Sequence, residues 1–69
     1  MNGYEIVYRL KQRGIKVKSI ATQLGVSGPA VSQVIHGKYS SSRVSQAIAD
    51  AIGLPLEEVF PKYRGKEAA

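Results

Sequence analysis

Side chains that can bond to the polar edges of another molecule are concentrated in one short run, SGPAVSQ, at residues 27–33. The Gln33 amide carries the donor and the acceptor needed to bond bidentately to adenine, and the Ser32 hydroxyl can donate to or accept from a base edge. The carbon atoms of Ala30 and Pro29 can pack on a thymine methyl group. The run therefore predicts contact with base pairs in a DNA major groove. Its expected members are Ser27, Gly28, Pro29, Ala30, Ser32 and Gln33.

Hydroxyl, amide and basic side chains flank this run on both sides, at residues 16–23 and 36–43. Such groups typically bond to phosphate oxygens, and these bonds position a protein on a duplex without specifying its sequence. The free N–H groups at the start of a helix can bind phosphate as well. The predicted phosphate contacts are Lys16, Lys18, Ser19, Thr22, Gln23, His36, Lys38, Tyr39, Ser40, Ser41 and Arg43.

Catalysis and metal binding are poorly supported by the remaining residue types. His36 is the single histidine, and the acids Glu5 and Asp50 have no motif spacing that would orient it for a serine nucleophile. The absence of cysteine excludes thiolate ligands, and one histidine is too few for the usual zinc sites. We therefore expect no enzymatic activity, no metal and no cofactor.

The elements that must position the polar run are two short crossed helices within VKSIATQLGVSGPAVSQVIH, residues 17–36. Such helices touch closely, so Ala21 is suitably small inside the first and Gly25 is suitably permissive in the turn. If Val31 and Val34 face the core with Ile35, the polar residues of the second helix must face outward. This spacing predicts a helix-turn-helix.

Apolar periodicity predicts the rest of the fold. We expect helices over 4–13 and 18–24, a third that begins where the Ser27 hydroxyl caps the Ala30 N–H, a fourth from Ser41 or Ser42 to Gly53, and a short fifth from 54–55 that ends at Pro61. No strand pattern is present. The prediction is a compact all-α bundle of four to five short helices, with one domain at residues 1–61 and a flexible tail at 62–69.

Charge is distributed unevenly along the chain. Between Ile6 and Ala49 there are seven basic residues and no acidic residue, although the net charge of the whole chain is only +5. The acids lie towards the two ends. A field of one sign around the helix-turn-helix indicates a polyanionic partner.

Membrane association has no support in the sequence. No apolar run approaches the roughly 20 residues of a membrane-spanning helix. The first residues, MNGY, lack the basic start and the apolar stretch of a secretory signal. We expect a cytoplasmic protein of a bacterial host with no membrane partner.

The order of the five helices, with the helix-turn-helix as the second and third, resembles the lambda-repressor-like DNA-binding domains. The segment IADAIGLPLEEVFPKY, residues 48–63, is similar to the carboxy-terminal signature of the Ner-type regulators of transposable phages. The resemblance implies a small transcriptional regulator, usually a repressor, that binds operator DNA near a phage early promoter. Two departures are Lys16, where many members have Ser or Thr, and Gly28-Pro29, which replaces longer polar residues.

The oligomeric state and two other functions stay open. Helix-turn-helix proteins usually bind pseudo-palindromic sites as symmetric pairs, so a homodimer is expected, formed in solution or only on DNA. The resemblance to the Ner-type regulators implies a monomer in solution that pairs on DNA. The same helices would also suit a protein-interaction module that binds an acidic partner, or the recognition module of a recombinase or transposase.

Overall fold

Residues 1–63, which the computed structural model describes, form five α-helices and one turn of 3-10 helix, with no β-strand among them. The helices are α1 (Gly3–Gln12), α2 (Val17–Leu24), α3 (Gly28–Ile35), α4 (Ser42–Ile52) and α5 (Leu56–Val59), and the 3-10 helix spans Pro61–Tyr63. The predicted all-α class is confirmed. Residues 64–69 of the predicted tail lie outside the described residues.

One apolar core joins these helices. Its fully buried side chains include Ile6 of α1, Val31 of α3, Ile48 of α4 and Val59 of α5. The inward face predicted for α3 is confirmed, because its two valines and its isoleucine are all buried. Helix α4 buries more than its apolar periodicity indicated, because Ser45 and Ala49 have no exposed surface. The bundle is therefore packed around α4.

The 3-10 helix is fixed to the core by an aromatic residue. The ring of Tyr63 packs edge-on against Phe60, with centroids 6.4 Å apart, and its hydroxyl lies 3.3 Å from the Ser45 hydroxyl. A buried hydroxyl requires a hydrogen-bond partner, and Tyr63 supplies one for Ser45, which has no exposed surface. The sequence places Lys62 and Tyr63 in a flexible tail; the structure has them in this 3-10 helix because Tyr63 packs on the core.

The turn between α2 and α3 has the conformation that its glycine favours. Gly25 ends α2 with φ of 72°, in the left-handed region. The N–H of the next residue, Val26, donates to the Ala21 carbonyl oxygen at 3.0 Å. Ala21 itself is only 3% exposed, as expected where two helices cross closely. The predicted roles of the small residue and the permissive residue therefore agree with the structure.

Replacement of Gly25 by alanine should lower stability through backbone strain alone. A Cβ at this position would meet no atom within 4 Å, so space is not the limitation. An L-residue in the left-handed region costs about 1–2 kcal/mol, and we expect Gly25→Ala to lower the free energy of unfolding in urea by about that amount. Gly25→Asn should lose less, because Asn tolerates this conformation. Equal stability of all three proteins would contradict this account of the turn.

Two arginine side chains connect the ends of different helices. The Arg13 guanidinium donates to the carbonyl oxygen of Ile52 at the end of α4. The Nη2 atom of Arg43 donates to the carbonyl oxygen of Leu24 at the end of α2, at 2.8 Å. The last carbonyls of a helix lack partners within the helix, and the negative end of its dipole favours a cation. Both arginines therefore stabilise the arrangement of helices that holds α2 and α3.

Candidate nucleic-acid interface

The outward surface of α3 carries the six residues predicted to contact bases. Ser27, Pro29 and Gln33 are exposed, whereas the other three are half-buried. Gln33 is the longest of these side chains, and its amide extends from a helix that is otherwise small and uncharged on this face. The half-buried members are Gly28, Ala30 and Ser32. This surface can approach a duplex closely, and Gln33 can reach furthest into a groove.

The start of α3 offers fewer free donors than the sequence suggests. The Ser27 hydroxyl oxygen accepts a hydrogen bond from the Ala30 N–H at 3.2 Å, as predicted. Pro29 has no N–H to offer. Among the described residues, the Gly28 N–H is the donor of this first turn that has no acceptor. The first turn of α3 therefore offers a phosphate one free backbone N–H, that of Gly28.

The polar face of α2 forms one continuous surface. The five predicted phosphate contacts at this helix are all exposed, and together they line a shallow depression. They are Lys16, Lys18, Ser19, Thr22 and Gln23. The Lys16 side chain makes no capping bond, as expected from its departure from Ser or Thr. The Thr22 hydroxyl donates to the Lys18 carbonyl oxygen at 3.0 Å, so its proton is already used within the helix.

The α3–α4 loop, residues 36–41, folds back over the end of α3. The Lys38 N–H donates to the Gln33 carbonyl oxygen at 2.8 Å, and the Tyr39 N–H donates to the same oxygen at 3.3 Å. Both side chains are exposed. The loop therefore keeps the backbone of a lysine close to the residue that is predicted to contact bases. Ser41 ends the loop as the cap of α4, with its hydroxyl oxygen accepting from the Val44 N–H at 3.3 Å.

His36 has a structural environment that the sequence did not indicate. Its imidazole packs edge-on against Tyr4 of α1, with ring centroids 5.4 Å apart. A Cβ added to Gly3 would lie 2.2 Å from His36 Nδ1, so this close approach depends on the glycine. The predicted phosphate contact by His36 would therefore have to come from a ring that lies against the start of α1.

The acidic side chains of the described residues lie outside the helix-turn-helix and the loop that follows it. The acids lie on α1, late α4 and α5: Glu5 pairs with Arg9 at 3.0 Å, and Asp50 accepts from the Gln46 amide at 2.9 Å. Helices α2 and α3 and the loop between α3 and α4 contain no acidic residue. The exposed cations of that surface are Lys16, Lys18, Lys38 and, at the start of α4, Arg43.

Lys62 is a neighbour of this surface that was not predicted. Its ammonium contacts the Ser40 hydroxyl in the α3–α4 loop. The spacing of two aromatic residues, Phe60 and Tyr63, is the signal that could have placed it, because that spacing predicts one more turn packed on the core.

Other kinds of site are not evident in residues 1–63. The structure there contains no group of three or more histidine, cysteine, aspartate and glutamate residues that could hold a metal ion. None of the helices in the same part of the chain has the length and apolar character needed to cross a membrane.

Comparison with known proteins identifies the class of domain. The model of the winged helix-turn-helix DNA-binding family matches residues 1–68. No curated protein and no solved structure was found to match the chain. The wing of that description has no counterpart among residues 1–63, because none of them forms a β-strand. The match spans nearly the whole sequence and agrees with the exposed polar helix and its basic surroundings. The chain belongs to the winged helix-turn-helix DNA-binding family.

Proposed function

We propose that this chain is a sequence-specific transcriptional regulator, and specifically a phage or prophage repressor that binds double-stranded DNA at an early promoter in a bacterial cytoplasm. Helix α3 enters the major groove, with Gln33 bonded to an adenine. Residues of α2 and of the α3–α4 loop contact the phosphates on either side. The resemblance to lambda-repressor-like domains, and to Ner-type regulators at the carboxyl end, supports the repressor role.

The observation that carries this proposal is the surface around Gln33. The Gln33 residue is exposed on a helix whose neighbouring outward residues are small. The backbone of Lys38, whose side chain is also exposed, is bonded to the backbone of Gln33. An amide that reads a base edge beside a cation that neutralises the backbone is the combination that sequence-specific binding needs.

Operator DNA is expected to contain two half-sites. A domain of this size presents one reading helix, which specifies only a few base pairs. We propose that two copies bind a pseudo-palindromic operator, with half-sites about 34 Å apart, and that they pair on the DNA. Selection of preferred duplexes from a random pool, followed by footprinting, tests sequence preference and counts half-sites together. A protein-interaction module for acidic partners would select no DNA sequence at physiological salt.

Two substitutions distinguish a base contact, which determines sequence preference, from a phosphate contact, which positions the protein on the duplex. Gln33→Ala should reduce discrimination at one base pair by about 1–3 kcal/mol, because the bidentate contact is lost. Lys38→Ala should weaken binding to all sequences alike, because a phosphate contact carries no sequence information. Titration of the selected duplex and of single-base variants measures both effects. If both variants bound all duplexes as the unchanged protein does, this reading surface would be wrong.

A further inference from the structure

Lys62 lies beside the loop that follows α3, although it is 22 residues distant from its contact in sequence. Its ammonium contacts the hydroxyl of Ser40, which lies two residues after Lys38. Lys62 and Lys38 are both exposed. The carboxyl end of the described chain thus brings a second cation to the α3–α4 loop.

The position of Lys62 is set by its neighbours rather than by its own long side chain. Phe60 before it is buried in the core, and Tyr63 after it packs on Phe60 and bonds to buried Ser45. The Lys62 ammonium also lies 5.4 Å from the centre of the Tyr63 ring, on its face. With Phe60 and Tyr63 fixed on either side, the backbone of Lys62 has little freedom to move away from the loop.

The charge of Lys62 is not neutralised within residues 1–63. The ion pair found there joins Arg9 to Glu5 on α1, and no carboxylate among these residues pairs with Lys62. Its contacts are a neutral hydroxyl and an aromatic face. A cation that is placed by the fold, exposed and without an acidic partner in this part of the chain is suited to bind an external anion.

We propose that Lys62 is a further DNA phosphate contact, which extends the surface of the α3–α4 loop to the carboxyl end of the fold. The inference rests on the proposed function, because it requires a duplex in contact with that loop. Lys62 binds the same backbone as Lys38 and adds affinity without sequence preference. The 3-10 helix is then part of the DNA-binding surface and positions this cation.

The test is the salt dependence of duplex binding by the full chain. Each phosphate neutralised contributes about 0.9 to the slope of log affinity against log salt, so Lys62→Gln should make the slope shallower by about that amount. Lys62→Arg keeps the charge and should keep the slope. Lys11→Gln is the matched control. It removes the same charge from an exposed position near the end of α1, and Lys11 is not among the predicted phosphate contacts.

A second measurement uses the unchanged protein and needs no variant. An amine-reactive reagent modifies exposed lysines, and mass spectrometry gives the extent at each one. Bound duplex should protect Lys62 and Lys38 and leave Lys11 reactive. Unchanged reactivity of Lys62, or an unchanged slope for Lys62→Gln, would overturn the inference. The proposed function would survive that outcome if Lys38→Ala still weakened binding, whereas loss of both effects with no sequence preference would overturn the proposed function itself.

Discussion

Duplex affinity is expected to fall about 10³-fold between 50 and 200 mM salt if about six phosphates are neutralised. The reason is that each bound cation releases counterions from the DNA, and added salt opposes this release. The exposed cations of α2 and of the α3–α4 loop, with no acidic residue among them, supply this term. Fluorescence anisotropy with a labelled duplex at four or five salt concentrations measures it.

Each lysine that contacts a phosphate should contribute to the slope of log affinity against log salt. Lys16→Gln and Lys18→Gln are each expected to reduce it by about 0.9, because both side chains line the polar depression of α2. Lys11→Gln should not change it. An affinity that hardly depends on salt would exclude the phosphate contacts predicted here and would favour a partner that is recognised without counterion release.

Ile48→Ala is expected to be the most destabilising of the substitutions considered. Ile48 lies near the middle of α4 with no exposed surface, and α4 is the helix around which the others pack. Loss of a buried isoleucine typically costs about 2–5 kcal/mol, because the apolar contacts are lost and a cavity remains. A domain of this length is stable by roughly 3–10 kcal/mol, so unfolding in urea should shift markedly.

Tyr8→Ala is the matched control for this effect. It removes a larger side chain, but Tyr8 is 61% exposed on α1, and its hydroxyl oxygen accepts from the Gln12 amide at 3.3 Å. Its removal should change the free energy of unfolding by less than about 0.5 kcal/mol. Equal effects of the two substitutions would mean that burial in this bundle does not determine stability as described.

Much of this fold is predictable from local rules. The apolar spacing of α4, the cap made by Ser27 and the left-handed turn at Gly25 each depend on a few neighbouring residues, and each agrees with the structure. The outward face of α3 follows from its buried face, because helix geometry leaves only one alternative. The observed helix ends differ from the predicted ones by one or two residues. At α5, for example, Pro55 is the cap rather than the first helical residue.

Three contacts that were not predicted join residues that are distant in sequence. His36 packs on Tyr4, Arg43 bonds to Leu24 and Lys62 contacts Ser40, and no local pattern encodes such pairs. Ser45 was missed for the same reason, because a serine is buried only where a partner such as Tyr63 reaches it. Base and phosphate contacts stay predictions until a duplex is bound, since exposure alone does not establish them.

The arginine side chains of this bundle bond to groups within the protein. The three arginines of residues 1–63 all bond to the protein: Arg9 to a carboxylate, and Arg13 and Arg43 to carbonyl oxygens at helix ends. We expect the exposed lysines to bind the nucleic acid, together with Arg43, which is exposed as well. An ammonium is a compact point charge without the planar fork that fixes orientation. We therefore expect the domain to slide readily along non-cognate DNA and to stop only where the tip of α3 fits the bases.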